Sequence, residues 1–308
     1  MCIESSNRLL ESSNRLEELT QTSGRADVRY DSAVLERVAQ RYRRDMWNSV
    51  VPEAVYESGV EVEQFGPVQA TVFADLPEIQ LLHQIQGAAE PEAVSEGHLA
   101  AAIEWMRARE VDYRIPVAVS RPGAGDAEAW LDERGYERGG GFLKLIRDAS
   151  PPDFEVDPQI TVHKLGDDEA EGEGLSSIAA EARDMPLVAG TLYFSLPQQP
   201  GWHCYTAALG PGEIPVAAGF MCIDNGIAQL GGGSTLEHAR GLGCNAALLH
   251  RRLLDAHLAG CHAAFVELGE CDAPSWSAVY RNLRRAGFED GYEGRNWQRP
   301  ALHPAQVL

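Results

Sequence analysis

Gly231-Gly232-Gly233-Ser234-Thr235-Leu236-Glu237-His238-Ala239-Arg240-Gly241-Leu242-Gly243-Cys244-Asn245-Ala246-Ala247-Leu248-Leu249 is the stretch whose reading decides the fold. An apolar run from Ile227 enters it, and a helical pattern from Gly243 to Ala259 leaves it, so it reads as a strand, a glycine-rich turn and a helix. The first turn of such a helix has backbone N–H groups without partners, and the helix dipole favours an anion beside them. A strand running through Arg240-Gly241-Leu242-Gly243 into a helix is therefore a place to hold a pyrophosphate. Gly243 allows a phosphate to come close to the backbone, and three consecutive glycines upstream suit a β-bulge.

Outward from that stretch, the C-terminal part continues with strand Ala263–Leu268, helix Ser275–Ala286 and strand Tyr292–Gln298. Upstream lie strand Ile160–Lys164, helical segments Asp168–Ala182 and Leu187–Phe194, and a hairpin from Cys204–Leu209 and Pro215–Ile223. The N-terminal part repeats the rhythm. It has a helix over Ser32–Trp47, extended pieces at Val60–Gln64 and Gln69–Phe73, and an apolar strand at Ile79–Gln86. A helix over Ser95–Arg109 carries Leu99, Ile103 and Met106 on one face, followed by strand Ile115–Ser120, helix Asp126–Arg134 and strand Phe142–Ile146. Gly135-Tyr136 follows Ile79 at roughly the distance at which Gly287-Phe288 follows Ile227, and each pair ends an Arg-bearing helix as a glycine cap. The reading is two copies of one α/β unit: a polar tail over 1–27, a first domain over 28–148, a Pro151-Pro152 linker over 149–154, and a second domain over 155–308.

Composition narrows the function. A chain of 308 residues with 44% hydrophobic content can bury a sizeable core. A formal charge of −20 disfavours sequence-independent nucleic-acid binding, which needs cations on phosphates, and its long-range field would draw a cationic small substrate. Almost all the positive charge is arginine, with Lys144 and Lys164 the two lysines. No run of 18 apolar residues spans a membrane, and the N-terminus has no secretory pattern, so the expectation is a cytoplasmic protein. The six cysteines, at 2, 204, 222, 244, 261 and 271, are scattered singly and fit free thiols. Cys261, His262, Cys271, His250 and His257 match no zinc-cluster spacing, so no metal is expected.

The run from Gly231 to Gly243, with Ala246-Ala247-Leu248-Leu249 behind it, resembles the acetyl-CoA loop of the GNAT N-acetyltransferases. The family pattern is Arg or Gln, two residues, Gly, one residue, then Gly or Ala. Here it falls on Arg240, Gly243 and Asn245, and Asn245 departs from the small-residue expectation. The resemblance implies a tandem GNAT-like α/β protein, each domain a mixed, mostly antiparallel sheet flanked by helices. It implies acetyl-CoA as co-substrate, held by Leu236, Arg240, Gly241, Leu242, Gly243, Cys244, Asn245 and Ala246, with Asn282 on the CoA side of the cleft. It also implies that the strand from Gln229 to Leu236 presents a backbone amide to the thioester carbonyl. In the first copy the matching turn reads Gly87-Ala88-Ala89-Glu90-Pro91-Glu92, without arginine or second glycine, and Glu90 and Glu92 would repel a pyrophosphate. That copy reads as degenerate.

Acetyl transfer to an amine needs a proton removed, since an alkylamine is only about 0.1% neutral at pH 7, and the departing thiolate benefits from an acid. By resemblance Tyr280 is the candidate acid, although the family's tyrosine position falls on Leu283. Glu267 is the candidate base, with Glu270 and Asp224 behind it. The resulting expectation is an N-acetyltransferase acting on a small-molecule amine, as a monomer or homodimer. A non-catalytic acyl-CoA-binding sensor and a mycothiol-synthase-like tandem acetyltransferase are the alternatives.

Overall fold

A computed structural model describes residues 31–48, 59–166, 169–269 and 278–299. The N-terminal tail, Asp168, Glu270 and Cys271 lie outside the described residues. The chain opens with helix α1 (Ser32–Asn48) and continues through β1 (Val60–Phe65), β2 (Val68–Phe73), β3 (Gln84–Gln86), α2 (Pro91–Ser95), α3 (His98–Arg107), β4 (Ile115–Ala118), α4 (Ala124–Asp132) and β5 (Glu137–Asp148). Next come β6 (Thr161–Lys164), α5 (Glu169–Glu181), α6 (Leu187–Gly190), β7 (Trp202–Ala208), β8 (Ala217–Asp224) and β9 (Ile227–Thr235). The series ends with α7 (Cys244–Leu258), β10 (Ala263–Gly269), α8 (Ala278–Arg285) and β11 (Glu289–Gln298).

The strands form one eight-stranded sheet, ordered β4-β11-β5-β10-β9-β8-β7-β6, and a three-stranded sheet, β1-β2-β3. Pairing is antiparallel except between β9 and β10, and in the single parallel bridge Gln84–Arg114 that joins β3 to β4. Each half thus contains a row of antiparallel strands followed by one parallel neighbour. The last strand of each half then lies beside the other half. β5 pairs with β10, β11 pairs with β4, and β5 and β11 pair with each other at the centre. Residues after β5 are tied down: the Ala149 amide donates to the His262 carbonyl at 3.2 Å, and His257 Nδ1 lies 3.1 Å from the Ala149 carbonyl oxygen.

Three apolar clusters result. One fills the first half around β2, α3 and β4; one lies between the large sheet and α7 and α8; one lies on the opposite face, under α1 and α5. Strands β2 and β8 are covered on both faces: all of β2, with its polar Gln69 and Thr71, and the first six residues of β8 are buried. Helix α1 turns Leu35, Val38, Ala39 and Tyr42 inward, a stripe at helical spacing.

Local departures from the sequence reading have physical causes. Ile79–Gln86 is not a continuous strand: Gln80–Leu82 form a 3-10 turn and only Gln84–Gln86 is extended. A short apolar run does not distinguish the two. The helix expected over Ser95–Arg109 is interrupted at Gly97, giving α2 and α3. The last strand of the first half starts at Glu137 rather than Phe142. Its glycines are strand residues because the backbone of β11 lies so close that a Cβ on Gly141 would stand 2.7 Å from the Gly294 carbonyl oxygen.

Candidate functional site

Pairing of β9 with β10 ends at Leu230–Val266, and beyond it the two parallel strands have no further partners in the register. At that level β9 bulges against β8. Ala218 faces Ser234 and Phe220 faces Gly231, leaving Gly232 and Gly233 against the single residue Gly219 of β8. Gly231 and Gly232 are required here by crowding from both sides. A Cβ on Gly231 would overlap the Tyr42 hydroxyl, and one on Gly232, whose φ is +61°, would overlap the ring of Phe220.

Two bulge carbonyls are already engaged. Arg252 Nη1 donates to the Gly231 carbonyl at 3.0 Å and to the Phe220 carbonyl at 3.2 Å, and the Ser234 hydroxyl donates to the Gly232 carbonyl at 3.0 Å. Arg252 is buried on α7. Burial lowers its guanidinium to about 10, so it is charged at neutral pH. The sequence carried a signal for this residue: a charge among Leu248, Leu249, Leu253 and Ala256, on the core-facing stripe of the helix.

Below the bulge, β9 leads through a 3-10 turn, Glu237–Ala239, into the exposed loop at 240–243 and then α7. Gly243 caps the helix at φ +94°, in the left-handed region that favours glycine. The Ala247 amide is the first to bond back, to the Gly243 carbonyl at 3.0 Å, so the amides of Cys244, Asn245 and Ala246 precede the helical ladder. Asn245 does not fill this entrance with its side chain: its Nδ2 reaches back to within 3.2 Å of the position a Gly233 Cβ would take. Arg240 turns its guanidinium onto the Thr235 and Ala182 carbonyls, at 3.3 and 3.1 Å. Leu236 packs against the clusters on both faces of the sheet, and Leu242 is half exposed. Cys244 is buried, and burial raises its thiol, which makes it a packing residue rather than a nucleophile. These eight positions surround the strand end and helix entrance as one contiguous element.

The opposite face of the bulge is covered by α1, from the other half of the chain. Register places Glu267 of β10, Lys144 of β5 and Tyr292 of β11 side by side. Onto this row α1 lowers Glu36, which pairs with Lys144 and accepts from the Tyr292 hydroxyl at 2.6 Å, and Arg43, which grips both oxygens of Glu267. Lys144 also lies 3.4 Å from Glu267. Arg41 pairs with Asp224 at 2.6 Å, and Asp45 accepts from the Trp202 indole at 3.3 Å. Burial alone would raise the Glu267 carboxyl, but Arg43 and Lys144 outweigh it and hold it below its ordinary value. Expected as a proton acceptor, Glu267 is instead an ionised anchor for α1, and such a carboxylate is a poor base. Asp224 is taken up by its ion pair with Arg41.

Tyr280, on α8, donates to Asp290 of β11 at 2.9 Å. Its phenol is raised, first by burial and then by that carboxylate, and stays protonated. Asn282 is half buried on the same helix, with its backbone carbonyl bonded to Ala286. His250 packs edge-on to Phe154, and His257 Nδ1 lies 3.1 Å from the Ala149 carbonyl oxygen.

In the first half the corresponding helix entrance carries an acidic residue. Glu90 caps α2, and Arg121 and Gln40 both donate to its carboxylate, the latter at 3.1 Å. The Glu90 carboxylate makes no bond to the amides of α2, so an internal ion pair lies beside this entrance, and α2 is only five residues long.

No family profile and no curated protein sequence matches this chain. Solved structures do. A GCN5-related N-acetyltransferase from Kribbella flavida superposes with a TM-score of 0.59 at 18% identity, over 88% of this chain and 97% of its own. A GCN5-related N-acetyltransferase from Sphaerobacter thermophilus gives 0.54 at 16% identity, over 78% and 84%. A tandem GNAT protein from the clavulanic acid biosynthesis pathway gives 0.54 at 14% identity, over 75% and 77%. Among the described residues no helix is long and apolar enough to cross a membrane. Parted parallel strands recur in both halves, and the likeness to these structures extends over most of the chain, so this protein has the GCN5-related N-acetyltransferase fold, repeated in tandem.

Proposed function

We propose that the protein moves an acetyl group from acetyl-CoA to the amine of a small molecule, with the co-substrate held by the second half. The observation that carries this reading is one continuous piece of chain. A bulged strand, parted from its parallel neighbour, runs directly into a glycine-capped helix entrance whose first amides precede the helical ladder. Residues 240–246 fit a pyrophosphate: the loop is exposed, the backbone is open at Gly241 where a Cβ would meet nothing within 4 Å, and the dipole of a 15-residue helix points at it. The bulge at Gly231–Gly233 is where a backbone amide would meet the acyl carbonyl. Acetyl-CoA supplies an activated acyl group. The chain's contribution is to bind, orient and polarise it.

A second reading, an acyl-CoA sensor without catalysis, is favoured by one observation: the carboxylate expected to act as base is neutralised by two cations. In the catalytic reading, water or the acceptor's own equilibrium must carry that proton.

Calorimetry with acetyl-CoA tests the cofactor site, comparing wild type with Asn245→Asp. This near-isosteric change places a negative charge in the first turn of α7, where the dipole stabilises the helix by about 0.3–1 kcal/mol while the charge opposes the pyrophosphate. Expected are an unchanged or higher melting temperature and binding weakened by roughly tenfold or more. Equal binding by both proteins overturns the site assignment. Acetylation of members of an amine panel then separates the enzyme from the sensor.

A further inference from the structure

We infer that Tyr42, carried by α1 from the first half, is a hydrogen-bond donor to the acyl carbonyl at the β9 bulge, so that the acyl site is built from both halves of the chain. This inference rests on the acetyl-CoA reading above and adds to it a residue that the sequence pattern does not mark.

Tyr42 is 8% exposed, and its hydroxyl occupies the volume that a side chain on Gly231 would need. That glycine is the first residue past the end of the β9–β10 pairing. The phenol has no hydrogen-bond partner among the described residues, whereas the nearby buried phenols of Tyr292 and Tyr205 donate to Glu36 and Asp255. The hydroxyl is not one of the fully enclosed unpaired polar atoms, so an acceptor on a ligand can reach it. The carbonyls of Gly231 and Gly232 accept from Arg252 and Ser234, and neither is paired with the phenol. What remains facing the bulge is a donor, suited to an oxygen that gains negative charge during acyl transfer.

The ring is also held in place. It stacks on Trp202 at 4.9 Å and lies 6.2 Å from Phe220. The residues on either side of it in the chain, Arg41 and Arg43, are pinned to Asp224 and Glu267. Burial raises the phenol well above its ordinary value, and Tyr193, Cys222 and Glu267 add to this against Arg183, so the group keeps its proton. Tyr42 therefore donates without ionising. When the acyl C–S bond breaks and the C–N bond forms, the amine proton leaves by another route.

The test is Tyr42→Phe, which preserves the ring packing, with Tyr193→Phe as a control on a neighbouring buried phenol. Acetyl-CoA labelled with carbon-13 at the carbonyl is bound to each protein, and its C=O stretch is read by difference infrared spectroscopy. The expected result is a band shifted to lower frequency in wild type and in Tyr193→Phe, moving back towards the free value in Tyr42→Phe. Calorimetry should show wild type preferring acetyl-CoA over the carbonyl-free thioether S-ethyl-CoA, and Tyr42→Phe losing about five- to tenfold of that preference. Binding with an unchanged band and preference in Tyr42→Phe overturns this inference alone. Failure of wild type to bind acetyl-CoA overturns it together with the proposed function.

Discussion

Replacing Gly232 by alanine tests whether the bulge in β9 is a built feature, and the structure sets the size of the effect. Two costs add. The residue sits at φ +61°, where an L side chain costs about 1–2 kcal/mol. The new methyl would overlap three ring atoms of Phe220, a fully buried side chain wedged among Tyr42, Tyr193 and Trp202 at 5.0–6.2 Å. With no free direction to turn, the ring must push its neighbours, and overpacking of that kind costs about 1–3 kcal/mol. The sum is about 2–5 kcal/mol, or a fall in melting temperature of roughly 4–20 °C for a body of this size. Gly233→Ala is the internal comparison. It has no positive φ, and its methyl would meet only Asn245 Nδ2 at 3.2 Å, so a loss below about 1 kcal/mol is expected. Urea denaturation followed by tryptophan fluorescence measures both. Equal stability of the two variants would refute the bulge geometry and the crowding by Phe220.

Glu267→Gln should flatten the acid limb of stability. The native carboxyl lies below its unfolded value, so its contribution is complete above about pH 4.3 and disappears as pH falls through the native pKa. Denaturation midpoints from pH 6 to 2 should fall less steeply in the variant, and parallel curves would remove Glu267 from the anchoring role. Arg252→Met leaves the carbonyls of Phe220 and Gly231 without a donor and should cost about 2–5 kcal/mol, offset in part by relief of a buried cation. A variant as stable as wild type in urea would show that the bulge does not depend on it. Because the Glu90–Arg121 ion pair lies beside the first helix entrance, acetyl-CoA should bind once per chain by calorimetry; two equivalent sites would contradict a degenerate first copy.

The element that decides the fold was legible because its information is local. A strand ending in glycines, an arginine-bearing turn and an apolar helix stripe lie within a continuous stretch, and the structure shows them as β9, loop and α7. The mates of β5 and β11 were not legible. Both follow a Gly-aromatic pair, and nothing in their own residues says that each pairs across to the other half. Glu267 was misread for a related reason. Its own strand marks it only as a candidate base, while its cations come from positions 43 and 144, far away in sequence. Lys144 did carry a usable signal, since a lysine inside Phe142-Leu143-Lys144-Leu145-Ile146 must find a carboxylate if it is buried. Tyr42 carried none: within Leu35, Val38, Ala39 and Tyr42 it reads as one more member of a core stripe.

The exchanged strands explain why a copy whose own helix entrance has an internal ion pair beside it is still retained. β10 is paired on one edge by β9 and on the other by β5, so removing residues 137–148 would bare an edge beside the parted strands. β11 would lose both its neighbours, since they are β4 and β5. Helix α1 would go as well, and with it the Glu36 and Arg43 contacts over the row of Glu267, Lys144 and Tyr292. Lys144 and Glu267 belong to different halves, and each is paired with a charge carried by α1. Losing α1 therefore strips Lys144 of Glu36 and Glu267 of Arg43, and leaves the two with only their 3.4 Å contact to each other. The first half acts as the second wall of the site in the second half, and changes in α1 are expected to register in the ligand chemistry of a loop two hundred residues away.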